Sequence, residues 1–181
     1  MGRTYKTEGI ILKRINYGEA DRILTIYTKH YGKIKAMAKG VRRITSRKGG
    51  NVELFNQATL FLYKGRNLDL LTEVQVTKTF KIWRKNLKKV ATAYYLVELV
   101  DKLTPGEQPN PEVFQLLSHY LEKIASANLP ALSRSFEETL LKELGFGVPE
   151  ALRRQPGSLR DYIESIIEKK LNSQELTKEI D

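Results

Sequence analysis

Short runs rich in β-branched and apolar residues, alternating cleanly over Lys33 to Lys39, fill the first 80 residues, and apolar side chains then recur at every third or fourth position. The first period belongs to strands and the second to helices. Thr7 to Ile15 is rich in β-branched and apolar residues and predicts a strand. Tyr17-Gly18-Glu19-Ala20 reads as a turn, and Arg22 to Thr28 as a second strand. His30-Tyr31-Gly32-Lys33 turns the chain again. From Lys33 to Lys39, Ile34, Ala36 and Ala38 point one way while Lys33, Lys35, Met37 and Lys39 point the other. Gly40 to Asn51 is a basic, glycine-containing loop. Asn56 to Tyr63 predicts a fourth strand, Lys64 to Asn67 a turn and Leu68 to Thr79 a fifth strand. Five short strands with no long helix between them predict a small closed sheet. An SH3-like barrel and an OB-fold both fit, and the long strand pair before a basic loop and a hairpin favours the OB-fold.

Beyond Phe80 the helical period takes over, so the expected class is α+β: a five-stranded OB-fold barrel over 1–80, then an all-helical domain over 81–181. Lys81 to Leu103 carries Trp83, Leu87, Val90, Tyr94 and Val97 at helical spacing, and Thr104-Pro105-Gly106 stops it. Asn110 suits an N-cap with Pro111 at the first helical position, and Val113, Leu116, Leu117, Tyr120, Leu121 and Ile124 form an apolar face. Pro130 opens a third helix holding Leu132, Phe136, Leu140, Leu141 and Leu144, with Gly145 just past its end. Residues 147–157, with two prolines and two glycines, predict a loop. Ser158 and Asp161 form a capping-box-like pair for a last helix with Leu159, Tyr162, Ile163, Ile166, Ile167 and Leu171 inside. Trp83, at the change of period, is expected to anchor barrel to helices.

Charge divides at the same boundary. Residues 1–80 hold 16 Lys and Arg against 6 Asp and Glu, and residues 81–181 hold 15 of each. The entire formal net charge of +10 therefore belongs to the first part. No acid lies between Asp21 and Glu53, where Arg22, Lys29, Lys33, Lys35, Lys39, Arg42, Arg43, Arg47 and Lys48 fall. A field of one sign on one small domain attracts polyanions, of which nucleic acid is the commonest. The chain has no cysteine and only two histidines, His30 and His119, which removes thiol chemistry and leaves little for a metal site. No apolar run is long enough to span a bilayer and no secretory leader opens the chain, so a cytosolic protein is expected.

Catalytic patterns are missing. Neither phosphate-loop pattern occurs, and Gly49-Gly50 sits in a basic loop, where turn chemistry explains it. His30 reads as a turn residue and His119 as a helix residue, without a nucleophile or acid at a telling spacing. Glu19 and Asp21 would share a strand face and could approach a divalent ion, yet a dedicated site wants more converging oxygens, and pairing with Arg22 or its neighbours is the plainer expectation. The aromatics of the basic half are mostly core. Tyr17 and Tyr31, both at turns, are the best placed for stacking on bases.

The run TEGIILKRINYGEADRILTIYTKHYGKIKAMAKGVRR, Thr7 to Arg43, resembles the opening of the bacterial RecO family of recombination mediators. Gly65 to Val76 (GRNLDLLTEVQV), Ala93 to Leu117 and Phe136 to Pro149 (FEETLLKELGFGVP) resemble later family segments in the same order, and Lys169 to Leu176 resembles its end. The resemblance implies an OB-fold followed by a helical domain. It implies no enzymatic turnover and no cofactor. It implies binding of single- and double-stranded DNA, annealing of complementary strands, and help in loading the RecA recombinase onto DNA coated by single-strand-binding protein. RecR is the implied partner, with or without RecF, and the implied location is the cytoplasm at the nucleoid. Many family members place a four-cysteine zinc module before the last helix; here residues 147–157 fill that space, so no zinc is expected.

The expected DNA contacts are Arg22, Lys33, Lys35, Lys39, Arg42, Arg43, Arg47 and Lys48. Of these, Lys33, Lys35 and Lys39 make a stripe, and Arg42, Arg43, Arg47 and Lys48 a flexible arm beside it. In the segment resembling the family's tail-binding region, Arg134 and Phe136 are the expected contacts for the acidic, apolar-ended tail of single-strand-binding protein. Two other classes stay open: an RNA-binding OB module, and a metal-dependent nuclease using Glu19 and Asp21.

Overall fold

A computed structural model describes residues 3–46, 48–153, 156–168 and 170–173. The chain divides into two compact units: residues 1–80 with 105–114, and residues 81–104 with 115–181.

The first unit is a closed five-stranded barrel. Its strands are β1 (Thr4–Tyr17), β2 (Asp21–Thr28), β3 (Gly32–Ala38), β4 (Gln57–Tyr63) and β5 (Asp69–Lys78), in the order β1-β2-β3-β5-β4. β1 closes the barrel because it is long enough to pair twice. Residues Gly9 to Tyr17 pair with β2, and Thr4 to Ile10 pair with β4, both antiparallel. β3 meets β5 in parallel through Ala36 and Met37. That closure, with one parallel contact, is the OB-fold and excludes the SH3-like alternative. Gly9 sits where β1 passes from one partner to the other. A Cβ there would lie 2.6 Å from Ile26 and 2.8 Å from Leu60, inside the core.

Alternation fills the interior. Ile11, Leu24, Ile26, Ile34, Ala36, Ala38, Leu60, Leu62, Leu71 and Val74 are buried together. Val41 and Val52, on either side of the basic loop, are buried in the same cluster. A single 3-10 turn at Gly49–Val52 stands between β3 and β4. Pro105–Phe114 belongs to this unit, and Glu107 N–H donates to the Lys33 carbonyl (3.1 Å). Gly32 takes φ 67° directly against the backbone of Gln108, where any Cβ would collide.

The second unit holds α1 (Leu87–Leu103), α3 (Leu129–Glu143), α4 (Glu150–Arg153) and α5 (Pro156–Ile167), with α2 (Pro111–Lys123) entering it at Gln115. α1 starts at Leu87, six residues later than the periodicity predicts. Lys81 to Lys85 form a turn, and Asn86 caps the helix by accepting from Lys89 N–H (3.1 Å). Trp83 mimicked a helical position because its ring is buried and its indole N–H donates to the Leu121 carbonyl (2.8 Å). Asn110 caps α2 as expected, accepting from Val113 N–H. α3 begins one residue before Pro130, with Asn128 as its cap. It ends in a Schellman pair, Phe146 N–H to Leu141 and Gly145 N–H to Lys142. The expected loop at 147–157 contains α4, and α5 starts at Pro156. Ser158 therefore lies within the first turn of α5 and not at its cap.

Buried acids tie this unit together. Glu98 accepts the N–H groups of Asn172 (2.8 Å) and Ser173 (2.9 Å), fastening the end of the described chain to α1. Glu137 accepts the Tyr95 hydroxyl (2.7 Å), and the Arg160 guanidinium lies 4.9 Å from the Tyr95 ring. Burial pushes the Glu137 carboxyl above its ordinary range, against the pull of the Tyr95 hydrogen bond and of Arg134 and Arg160.

Candidate nucleic-acid interface

β3 presents its outward face through Lys33, Met37 and Lys35, with Lys39 following the strand. Lys35 and Lys39 are exposed; Lys33 is half-buried and makes other interactions. Lys35 to Lys39 covers roughly 13 Å at the rise of a strand. The chain then enters the basic loop, and here the structure corrects the expectation of a flexible arm. The Asp21 carboxylate accepts Gly40 N–H (2.7 Å), Arg42 N–H donates to the Ala20 carbonyl (2.9 Å), and the Arg42 guanidinium donates to the Gly18 carbonyl (3.0 Å). Those three bonds fasten the loop to the β1–β2 turn, while Val41 and Val52 root it in the core.

Arg42 and Arg43 remain exposed at this fixed position. Among the described residues no ion pair engages Lys35, Lys39, Arg42 or Arg43. The other expected contacts are placed differently. Arg22 and Arg14 share the Glu53 carboxylate, Arg22 at 3.2 Å, and Arg22 also reaches Asn16 (3.4 Å). Two guanidiniums on one carboxylate keep a local excess of one positive charge, but Arg22 is committed. Lys48 is half-buried, its ammonium 3.5 Å from the Leu71 carbonyl. Arg47 lies outside the described residues. The structure thus leaves Lys35 exposed at the middle of β3, and Lys39, Arg42 and Arg43 exposed where the chain runs on from it into the basic loop.

Register also shows what periodicity missed. Ile15 pairs with Ile23, and Ile23 with Met37, so three apolar side chains cross the outer sheet in one row. Ile15 is 61% exposed, and Ile23 and Met37 are half-buried. The neighbouring row is Lys13, Thr25 and Lys35. On the other side Tyr17, 55% exposed, stands opposite Asp21. Lys13 and Lys35 therefore border one side of an open apolar strip about 10 Å wide at ordinary strand spacing, and Tyr17 borders the other. The signal available in the sequence was Ile15 itself, an isoleucine beside the polar turn.

The opposite end of the barrel is different. Tyr31 packs against Tyr5 with ring centroids 4.5 Å apart and planes tilted by 52°, so the second stacking candidate is engaged by another ring. The Tyr5 hydroxyl donates to the buried Asp69 carboxylate. Burial, and then that carboxylate, holds the hydroxyl well above the usual tyrosine range. Asp69 also accepts Gly65 N–H (3.0 Å), Lys64 lies 3.8 Å from Asp69 and 3.6 Å from Glu107, and Lys29 pairs with Glu8 (3.4 Å). Lys29 and Lys64 thus have acidic partners, while Arg66 in the turn between β4 and β5 is exposed.

Two further expectations are corrected, the pairing of Asp21 and the peptide contact at Arg134 and Phe136. Asp21 does not pair with Arg22; it pins the basic loop, and Glu19 is exposed in the turn beside it. No group of three or more metal-ligating side chains occurs among the described residues. Phe136 is fully buried and packs on Tyr120 (5.2 Å between centroids), so it belongs to the core and offers no surface to a peptide. Arg134 donates to Glu138 (2.7 Å) and to the Leu152 carbonyl (2.7 Å). No described helix is long and apolar enough to cross a membrane.

Comparison with known proteins covers both units. The family described as "Recombination protein O N terminal" matches residues 1–80, and "Recombination protein O C terminal" matches residues 84–151. The chain is 39% identical over 144 residues to a protein named "DNA repair protein RecO" from Pelotomaculum thermopropionicum, covering 80% of this chain and 56% of that one. It is 39% identical over 145 residues to the Roseiflexus protein of the same name, covering 80% and 51%, and 42% identical over 124 residues to that of Trichodesmium erythraeum, covering 68% and 43%. The chain spans about half the length of these curated relatives.

Proposed function

This chain belongs to the RecO family of DNA repair proteins, and from that premise we propose that its barrel is the surface on which DNA strands are held during recombinational repair. The observation that carries the reading is the set of four exposed cations, Lys35, Lys39, Arg42 and Arg43, without ion-pair partners among the described residues, with Lys35 bordering an apolar strip. Phosphates settle on the cations and release counterions. Bases or sugars lie on Ile15, Ile23, Met37 and Tyr17, which read no sequence. Two strands gathered on one basic surface repel each other less, and annealing follows from that screening.

The protein works by binding, without turnover. In the wider reaction it assists loading of the RecA recombinase onto DNA coated by single-strand-binding protein, together with RecR. These partners rest on family membership. The buried Phe136 and the engaged Arg134 give the acidic tail of single-strand-binding protein no site at those two residues.

Titration of labelled single-stranded and duplex oligonucleotides against the full chain, with structured RNA as competitor, tests the reading. DNA binding that falls steeply with salt and outlasts equal RNA competitor supports it. Preference for structured RNA would replace it with an RNA-binding module. Pull-down against RecR, and against single-strand-binding protein with and without its acidic tail, tests the partners; capture of neither would leave a general DNA binder.

A further inference from the structure

We propose that Ile44, at the tip of the basic loop, is a wedge that contacts unpaired bases. The proposal deepens the nucleic-acid reading above and rests on it. Ile44 is 105% exposed, more than any other large apolar side chain among the described residues. Its exposure is built in by the loop. Ser46 N–H donates to the Arg43 carbonyl (2.9 Å), closing a tight turn with Ile44 at its first corner, where a side chain must point outward. A second turn, Arg43 N–H to the Gly40 carbonyl (3.1 Å), precedes it. Beneath both, Val41 and Val52 are buried and Asp21 and Gly18 hold Gly40 and Arg42. An isoleucine in that place adds nothing to the barrel's core, because it buries no surface within the chain.

What surrounds it selects the ligand. Arg42 and Arg43 precede Ile44 directly, are exposed, and have no ion pair among the described residues. A polynucleotide backbone gripped by those guanidiniums brings its sugars and bases within a few ångströms of the neighbouring side chain. Isoleucine is among the apolar side chains that insert between bases, and unpaired bases give way most cheaply. The loop then makes two kinds of contact that salt separates. Phosphate contacts weaken as salt rises, whereas an apolar contact with a base releases no counterion and does not. An anionic lipid surface would share the charge but would want an amphipathic helix, and the tip is a four-residue turn.

The test uses the full chain, a single-stranded oligonucleotide carrying 2-aminopurine, and the variants Ile44→Ser and Arg42→Ala/Arg43→Ala, titrated from low to high salt. Ile44 is exposed, so I44S keeps the wild-type fold and circular dichroism spectrum. We expect I44S to bind about fivefold more weakly at every salt with an unchanged log–log slope, and the 2-aminopurine brightening on binding to fall. The double arginine variant should lower the slope by about 1.4, at about 0.7 per lost phosphate contact. If I44S binds and brightens like wild type while the arginine variant is weakened, the wedge is wrong and the interface stands. If wild type itself shows no salt-dependent binding, the interface reading fails. If Ile44 proves necessary for binding phosphatidylglycerol vesicles and irrelevant to the oligonucleotide, the tip is a lipid contact and the wedge is overturned.

Discussion

Both ends of the barrel carry cations, and the acids beside them are used in different ways. At the end where β2 turns into β3, Lys29 and Lys64 face Glu8, Asp69 and Glu107, and the tilted rings of Tyr5 and Tyr31 pack together. At the other end two of the nearby acids are turned to internal tasks, while Glu19 is exposed in the turn between β1 and β2. Asp21 receives a backbone N–H of the basic loop, and Glu53 is shared between Arg14 and Arg22. Lys35, Lys39, Arg42 and Arg43 are left exposed beside open apolar side chains. The difference teaches that charge count says little about where a polyanion binds. What matters is whether the acids of the same surface face the cations or hold the backbone that displays them.

The comparison yields graded predictions. Replacing Lys35, Lys39, Arg42 and Arg43 together by Ala should weaken single-stranded DNA binding at least tenfold at low salt, since each lost phosphate contact removes counterion release. Fluorescence anisotropy reads this directly. Asp21→Ala should weaken binding by about three- to fivefold although it removes a negative charge, because a single hydrogen bond to a charged group is worth about 1.5–3 kcal/mol and here it sets the position of the loop. Asp21→Asn keeps an acceptor for Gly40 N–H and should recover most of the loss; tighter binding by D21A would mean that charge alone governs this end. Tyr17→Ala should cost about threefold with an unchanged salt slope, as expected for a partly stacked ring. The smallest effect belongs to the opposite end. Lys29→Ala/Lys64→Ala should leave DNA affinity within about twofold, because exposed cations already paired with acids contribute little to the field. A larger loss there would show that both ends bind.

Much of the barrel was legible because its residues alternate so regularly. Ile34, Ala36 and Ala38 against Lys33, Lys35 and Lys39 dictate which face of β3 is inside. The choice between two barrel types was not decided by such local patterns. It depends on β1 pairing with both β2 and β4, and on Ala36 meeting Asp69 in parallel, which are contacts between residues distant in sequence. The cations of the loop were readable, but the attachment of Gly40 and Arg42 was not, since Asp21 and the Gly18 and Ala20 carbonyls supply it from across a turn. Ile44 carries no periodic signal at all. In the helical unit, Trp83 and Leu87 share a helical spacing that only Leu87 obeys, because a buried turn can place a ring at the same interval. Arg134 and Phe136 were chosen as neighbours in sequence; on α3 one reaches Glu138 and Leu152 while the other enters the core.

The central claim is that four cations along β3 and the basic loop after it hold DNA phosphates. The most direct measurement is the log–log dependence of single-stranded DNA affinity on salt, for wild type and for the Lys35, Lys39, Arg42, Arg43 quadruple alanine variant. If all four touch phosphate, the variant's slope should be shallower by about 2.8, at about 0.7 per contact on a single strand. Parallel lines for the two proteins would place the phosphates elsewhere on the molecule and contradict the account.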